Sequence, residues 1–187
     1  MKKILFLVTL IIVASMGLNA QECNVKGVVK YEYNDYVGYK VDEGAEIYVL
    51  SKQKADSIDM QIWQEYEELA KNYMRYLKYK NDDDFSSLDE ATICRFAGFS
   101  TSSKSVLDKY DKKCFHQYCY FVENAEYIEV VDGSGKYSLK LPYGEYFILA
   151  KSKNRERPLV SELTGRVLIE KITVNKPTKI VSFDFCY

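Results

Sequence analysis

The sequence predicts a mainly β protein with a helical insertion, an α+β fold of the β-sandwich type. Short segments with alternating apolar and polar residues occur near both ends of the chain, which is the pattern of half-buried strands. Between them, apolar residues recur every three or four positions, as they do on one face of a helix. Glycine, proline and asparagine clusters separate the segments and indicate turns.

The first twenty residues have the three parts of a secretory signal peptide in order. Lys2 and Lys3 make the start basic, residues 4–13 are apolar, and Ala20 supplies the small residue needed for cleavage. The apolar run is shorter than the roughly 20 residues that span a bilayer. We therefore expect cleavage near Ala20–Gln21 and a secreted or periplasmic protein, with attachment to the cell surface left open.

The remaining residues, 21–187, fit one domain that carries an insertion at about 51–126. Loss of the two signal lysines leaves 24 basic and 27 acidic residues, a net charge of −3. Nucleic acid is not an expected partner, because binding to phosphates needs a concentrated cationic surface. No later segment is apolar enough to be a transmembrane helix, and no cofactor-binding motif is present.

Two strands are predicted before the insertion, over residues 25–33 and 45–50. Gly27 interrupts the first and indicates a bulge or a close approach of another backbone. Residues 34–44 between them are rich in turn formers.

The insertion begins with a predicted helix over residues 56–79, capped by Asp56 or Ser57. Its tyrosines could form a platform for a sugar or a protein, but their helical spacing favours packing in a core. These tyrosines are Tyr66, Tyr73, Tyr76 and Tyr79.

Two further helices are predicted in the insertion. Ser87 and Glu90 have the form of a capping box, which opens a short helix that Gly98 can end. Residues 105–121 fit a helix first, but residues 118–122 also suit a strand, and we expect helix followed by extended chain.

After the insertion the strand pattern returns. Residues 127–131 and 137–141 are predicted to form a hairpin around the turn at 132–135. Further strands are expected at residues 146–151, 167–174 and 180–185.

Three of these segments, residues 25–29, 43–49 and 132–146, resemble the carboxypeptidase regulatory-like domain. The resemblance implies a transthyretin-like Greek-key β-sandwich that is not catalytic and serves exported proteins as a structural, docking or ligand-contacting module. It implies no catalytic residues. The positions that carry it are Gly27, Gly44, Ala45, Asp132, Gly133, Gly135, Tyr137, Leu139, Pro142, Gly144 and Tyr146.

All five cysteines follow the signal, so disulfides can form in the compartment that we expect. Cys23 and Cys186 lie near the two ends of the mature chain, and a bond between them would join the termini. Cys94, Cys114 and Cys119 could supply a second bond, with Cys94 the favoured partner of either.

These residues lead to two hypotheses on function. The first is an exported, non-enzymatic binding or structural module that contacts a protein or glycan at the cell envelope, with its specificity in the insertion. The alternative is an exported thiol- or metal-dependent protein that uses Cys114, His116 and Cys119, since thiolate and imidazole suit zinc and a histidine can activate a thiol.

Overall fold

The structure is a computed structural model that describes residues 21–34, 36–98, 103–155, 163 and 166–185, without the side chains of residues 103–108. It confirms the predicted α+β sandwich, and its described parts form three layers. Two β-sheets pack face to face, and the helices of the insertion cover the outer face of one of them. The signal segment lies outside the described residues.

The first sheet is organised around the long strand β1 (Glu22–Asn34). Two strands pair with it antiparallel, β2 (Gly38–Val41) along its second half and β5 (Lys136–Pro142) along its first half. Two short strands pair with it in parallel, β8 (Thr178–Ile180) and β9 (Phe183–Phe185). The β1 strand therefore holds the whole sheet together.

The second sheet has the order β4-β3-β6-β7, with all neighbours antiparallel. Its strands are β3 (Glu46–Ser51), β4 (Tyr127–Val130), β6 (Gly144–Lys151) and β7 (Val167–Val174). The β3 and β6 strands are buried on both faces, which explains why their sequences are nearly continuously apolar.

One hydrophobic core fills the space between the sheets. It includes Val25 and Val29 from β1, Leu141 from β5 and Ile148 from β6, all with no exposed surface or almost none. Gly27 permits this close packing, because a Cβ there would lie 1.6 Å from the backbone oxygen of Val181. The predicted close approach at Gly27 is confirmed.

The insertion forms helices α1 (Met60–Lys80), α2 (Glu90–Phe96) and α3 (Ser103–Asn124), with a short 3-10 turn at Asp83–Phe85. Trp63 of α1 and Cys114 and Phe121 of α3 pack against Leu50 and Leu149 on the outer face of the second sheet. The insertion therefore covers apolar sheet surface that would otherwise meet water. Within the described residues, no helix has the length and apolar character needed to cross a membrane.

The helix starts differ from the predictions. Asp59 caps α1, in place of Asp56 or Ser57, and its carboxylate accepts hydrogen bonds from the amides of Gln61 (3.0 Å) and Ile62 (3.3 Å). Asp89 caps α2 in place of Ser87. Several neighbouring side chains could cap each helix, and packing of the first turn selects among them.

The region after α2 contains one confirmed and one wrong prediction. Gly98 follows the end of α2 with a φ of 87°, the left-handed conformation of a helix terminator. The α3 helix continues to Asn124, so the extended chain expected at residues 118–122 is wrong. Phe121 faces the second sheet one heptad after Cys114, and this packing favours the helix.

The hairpin predicted at residues 127–141 is also wrong. The tight turn exists, since the Gly135 amide donates to the Asp132 oxygen (2.9 Å). However, β4 pairs with β3 in the second sheet and β5 pairs with β1 in the first. An alternating pattern shows which residues of a strand face the core, but not which strand lies beside it. The turn between β4 and β5 therefore has the sequence of a hairpin turn, although it joins two different sheets.

Candidate functional site

Exposed aromatic residues are concentrated where β1 turns into β2. Among the described residues, five of the large apolar or aromatic side chains with high exposure fall within residues 33–41. They are Tyr33 (53% exposed), Tyr36 (99%), Val37 (55%), Tyr39 (48%) and Val41 (41%). We call residues 31–41 the tyrosine hairpin. This concentration makes the segment a candidate interaction site.

Local sequence fixes the turn of the tyrosine hairpin. The Asn34 side-chain oxygen accepts hydrogen bonds from the amides of Tyr36 (3.0 Å) and Val37 (2.7 Å), a motif that substitutes for backbone bonds in a turn. Gly38 follows with a φ of 71°, and a Cβ there would meet nothing within 4 Å. Tyr36 and Gly38 therefore lie in open space relative to the rest of the described chain.

The rings near the base of the tyrosine hairpin are held by aromatic and cationic contacts. Tyr31 packs against the sandwich core and meets Tyr33 edge to face, with ring centroids 6.5 Å apart. The Lys40 ammonium lies 3.4 Å from the centre of the Tyr33 ring. A cation over a ring fixes its orientation, so one face of Tyr33 is occupied and the hairpin presents its remaining aromatic surface outward.

A groove of about 560 Å³ opens at the same end of the sandwich. Tyr31, Val41, Val130 and Val131 supply its apolar lining, and the other lining residues are polar residues and glycines. Its lining residues are Tyr31, Val41, Glu43, Gly44, Val130, Val131, Asp132, Gly133, Lys153 and Asn154. We call it the sandwich-end groove. Apolar walls with a few polar groups are typical of small-ligand sites.

A buried carboxylate supports the loops around the sandwich-end groove. Asp42 is fully buried and accepts hydrogen bonds from the hydroxyl of Ser152, from the Asn154 side chain (2.9 Å) and amide (3.1 Å), and from the Lys153 amide (3.3 Å). The Asn154 side chain also donates to the Glu43 backbone oxygen (2.9 Å). These bonds hold the segment after β6 against the loop before β3. Asp42 and Ser152 were not predicted as site residues, because nothing in the local sequence distinguishes them from other loop residues.

Four residues of the predicted family pattern meet at this groove. Gly44 and Asp132 line it, Gly133 lies against Glu43, and Gly135 lies against Val41, where a Cβ would come within 2.8 Å of the valine side chain. Hydrogen bonds from the Lys136 amide and from Ser134 lower the pKa of Asp132, so its carboxylate stays charged while it holds the corner. The predicted motif therefore shapes the groove.

The other residues of the pattern belong to the sandwich itself and do not line the groove. Tyr137, Leu139, Tyr146 and Ala45 lie in the core between the sheets. The hydroxyl of Tyr137 donates to the Val181 oxygen (2.8 Å) and that of Tyr146 to the Pro142 oxygen (3.0 Å). Gly144 begins β6, and Gly27 lies against Val181 as described above.

No disulfide is formed among the cysteines that the structure describes. Cys23, Cys94, Cys114 and Cys119 all have free thiols, and Cys186 lies outside the described residues. The predicted bond between Cys23 and Cys186 is therefore not seen at Cys23, the one of its two cysteines that is described.

The second predicted disulfide fails because its cysteines lie in different clusters. Cys94 packs with Tyr76 and Ala97 between α1 and α2, and Cys114 packs between α3 and the second sheet. Cys119 is only partly buried on another face of α3.

The three residues of the thiol or metal alternative do not converge. Cys114 is buried, His116 is exposed, and Cys119 is intermediate on the same helix. Burial raises the pKa of Cys114 to about 12, and the carboxylates of Asp111 and Asp59 act in the same direction. A metal-binding group of three or more histidine, cysteine or acidic residues is absent from the part of the chain that the structure describes. The geometry gives this alternative no support.

The tyrosines of the insertion pack as the helical spacing predicted. Tyr66 and Tyr76 are buried, and their hydroxyls donate to Asp111 (2.8 Å) and Glu90 (2.7 Å). Tyr73 and Tyr79 are half-buried against the cluster between α1 and α2. The more exposed tyrosines lie on the tyrosine hairpin, outside the insertion in which we expected specificity.

No protein family model matches the chain, and no curated protein matches it. Among solved structures, it is similar to a Pseudomonas aeruginosa protein provisionally described as carbohydrate-binding, with 13% identity, coverage of 91% of this chain and 93% of that one, and a TM-score of 0.42. The pilus backbone of Streptococcus pneumoniae has 15% identity, coverage of 82% of this chain and 35% of that one, and a TM-score of 0.30. A full-length major pilin from the same organism has 12% identity, coverage of 87% of this chain and 30% of that one, and a TM-score of 0.30.

The chain thus spans about a third of each pilin that it resembles. Membership of the carboxypeptidase regulatory-like family stays a prediction. The surface of the chain itself is the basis for inferring its function.

Proposed function

We propose that the chain is an exported, non-catalytic binding module with a carboxypeptidase regulatory-like sandwich, and that it binds a glycan through the tyrosine hairpin and the sandwich-end groove. The mature protein begins near Gln21 and acts as one domain in the periplasm or outside the cell.

The clustering of exposed tyrosines beside a polar groove is the observation that carries the proposal. Tyrosine presents a flat apolar face and a polar tip at low cost in side-chain entropy. Sugar rings have the complementary surface, with C–H groups on their faces and hydroxyls at their edges. Tyr33, which lies on the same face of the hairpin as Tyr31 and Lys40, can contact those faces, while groups such as Lys153 and Glu43 can bond the hydroxyls.

A protein partner is the second outcome to be distinguished. Exposed tyrosines also serve protein interfaces, but these rely on a continuous apolar centre. The sandwich-end groove instead places an ammonium, two carboxylates and an amide beside one tyrosine and three valines, and these polar groups favour a ligand with many hydroxyls.

The test uses mature residues 21–187 on a glycan array, followed by calorimetry with each glycan that binds. The variant Tyr33→Ala should weaken binding about tenfold or more, because the ring supplies contact area that alanine lacks. Phe115→Ala is the matched control, since Phe115 is 41% exposed on α3 away from this site.

Equal binding by both variants would place the glycan elsewhere on the chain. If no glycan bound and an envelope protein were captured through Tyr33, the site would stand but its ligand class would be wrong.

A further inference from the structure

A cavity of about 140 Å³ lies between α1 of the insertion and the first half of β7 in the second sheet. The helix and the strand supply all of its described lining residues, which are Met60, Trp63, Gln64, Tyr66, Glu67, Ala70, Val167, Leu168 and Ile169. We call it the helix–sheet cavity. None of these residues belongs to the tyrosine hairpin or the sandwich-end groove.

The inner walls of the helix–sheet cavity are apolar. Met60, Trp63 and Ala70 are spaced by three and seven residues, so they lie on one side of α1. Val167 and Ile169 are alternate residues of β7 and pack on the face of the sheet that the helices cover. Trp63, Ala70 and Val167 are all buried, so these walls are largely removed from solvent.

The two aromatic walls have their polar atoms engaged elsewhere. The Trp63 indole N–H donates to Gln117 Oε1 (2.9 Å), and the Tyr66 hydroxyl donates to Asp111 Oδ1 (2.8 Å). The two rings meet edge to face, with centroids 6.2 Å apart. These bonds fix the rings to α3, so both rings contribute apolar surface to the cavity. A water molecule needs two to four polar partners, and walls of this kind favour an apolar occupant instead.

The entrance of the helix–sheet cavity is polar. Gln64 is exposed, so the cavity meets solvent beside its side-chain amide. Glu67 lies one turn further along α1, and its carboxylate is paired with the Lys71 ammonium at 2.7 Å. The Gln64 amide can both donate and accept a hydrogen bond.

We propose that the helix–sheet cavity binds a small uncharged molecule that has one aromatic ring and a hydroxyl group, a simple phenol. An apolar cavity of about 150 Å³ holds one benzene molecule, so this cavity has room for one ring and not for two fused rings. A ring beside Trp63 and Tyr66 gains aromatic contacts that a saturated ring of the same size lacks. The hydroxyl of the ligand bonds Gln64 at the entrance.

A charged ring compound is disfavoured, because the apolar walls cannot replace its hydration. The inference does not depend on the proposed function, since the two sites share no residue.

The experiment titrates mature residues 21–187 with phenol and follows the fluorescence of Trp63, the one tryptophan of the sequence. Emission should change and reach saturation, because the bound ring lies against the indole. Calorimetry then gives the affinities of phenol, cyclohexanol and naphthol. Cyclohexanol should bind several-fold more weakly than phenol, and naphthol should not bind.

Filling the cavity tests its position. Ala70→Leu adds side-chain volume to a lining residue and should weaken phenol binding about tenfold or more. Ala91→Leu makes the same change at an exposed position of α2 and should leave binding unchanged. Circular dichroism checks that both variants fold.

Enlarging the cavity is a second test, in case the leucine variant does not fold. Ile169→Ala removes part of one wall. Naphthol, which the native chain should exclude, should bind this variant.

Three results would overturn the inference. Phenol could fail to bind, or Ala70→Leu could bind phenol as tightly as the native chain does. Either result would show that the helix–sheet cavity is not the site. In the third, cyclohexanol would match phenol in affinity, and the assignment to an aromatic ligand would be wrong.

Discussion

Asp42 and Ser152 are joined by a hydrogen bond in which the serine hydroxyl donates to a carboxylate, and both residues are fully buried. They are far apart in the sequence, and their bond connects the loop before β3 to the segment after β6. A buried carboxylate is tolerated only when its oxygens are bonded, and here Lys153 and Asn154 supply the remaining donors. The pair therefore holds in place the segments that carry Glu43, Lys153 and Asn154 to the sandwich-end groove.

Replacing Asp42 with alanine should lower the free energy of unfolding by about 2–4 kcal/mol, because it leaves several buried donors without an acceptor. Asp42→Asn should cost less, since one oxygen remains. Urea denaturation measures both effects. Asp184→Ala on exposed β9 surface is the control and should change stability by less than about 0.5 kcal/mol. Equal stability of Asp42→Ala and the native chain would contradict the described network.

Gly27→Ala should be strongly destabilising, by about 3 kcal/mol, because its Cβ would overlap the backbone oxygen of Val181. That oxygen belongs to the chain between β8 and β9 and cannot rotate away as a side chain would. Gly133→Ala provides a matched control, since its Cβ would meet Glu43 at an ordinary 3.7 Å. Thermal melting of the two variants should separate them clearly, and similar melting temperatures would show that β1 does not approach Val181 this closely.

Cys114 should react far more slowly than Cys119 with iodoacetamide at pH 8 in the folded protein. Burial raises the pKa of the Cys114 thiol to about 12, so its thiolate is scarce, and its sulfur is shielded from solvent. Peptide mass spectrometry after timed labelling measures both rates, and labelling in urea should make them similar. Rapid labelling of Cys114 in the native state would restore the thiol-dependent alternative.

Stability should fall as the pH rises above about 10. Burial raises the pKa of Tyr137, and burial with the hydrogen bond to Glu46 raises that of Tyr48 to about 12. In the unfolded chain both phenols ionise near pH 10. The contribution of the two neutral phenols to the free energy of unfolding is therefore fully present below about pH 10. It is lost as the pH rises through their pKa values in the folded state.

The variant Tyr137→Phe isolates this effect. At pH 8 its free energy of unfolding should be about 1 kcal/mol lower than that of the native chain, because the hydrogen bond to Val181 is removed. Between pH 10 and 11 its stability should fall less steeply than that of the native chain. Tyr36→Phe at a fully exposed position should follow the native chain at every pH, and identical slopes for all three would exclude Tyr137 as a cause.

The sequence by itself determined the strand and helix segments where the pattern was long and regular. Residues 167–174 were predicted as a strand and match β7, and the helix over residues 56–79 matches α1 within a few residues. The end of α2 at Gly98 was also predictable, because glycine adopts the left-handed conformation without strain. Periodicity and turn chemistry depend on residues that are close in the sequence, so they can be recognised without the structure.

Tertiary structure decided which strands became neighbours and which polar residues met. The chain after β4 crosses to the other sheet, although its sequence resembles a hairpin, and β9 pairs in parallel with β1 at residues 29–31. Asp42 and Ser152 meet only because β3 and β6 are adjacent. Pairing depends on how apolar faces are buried across the whole sandwich, and that balance of packing energies is not encoded at any single position.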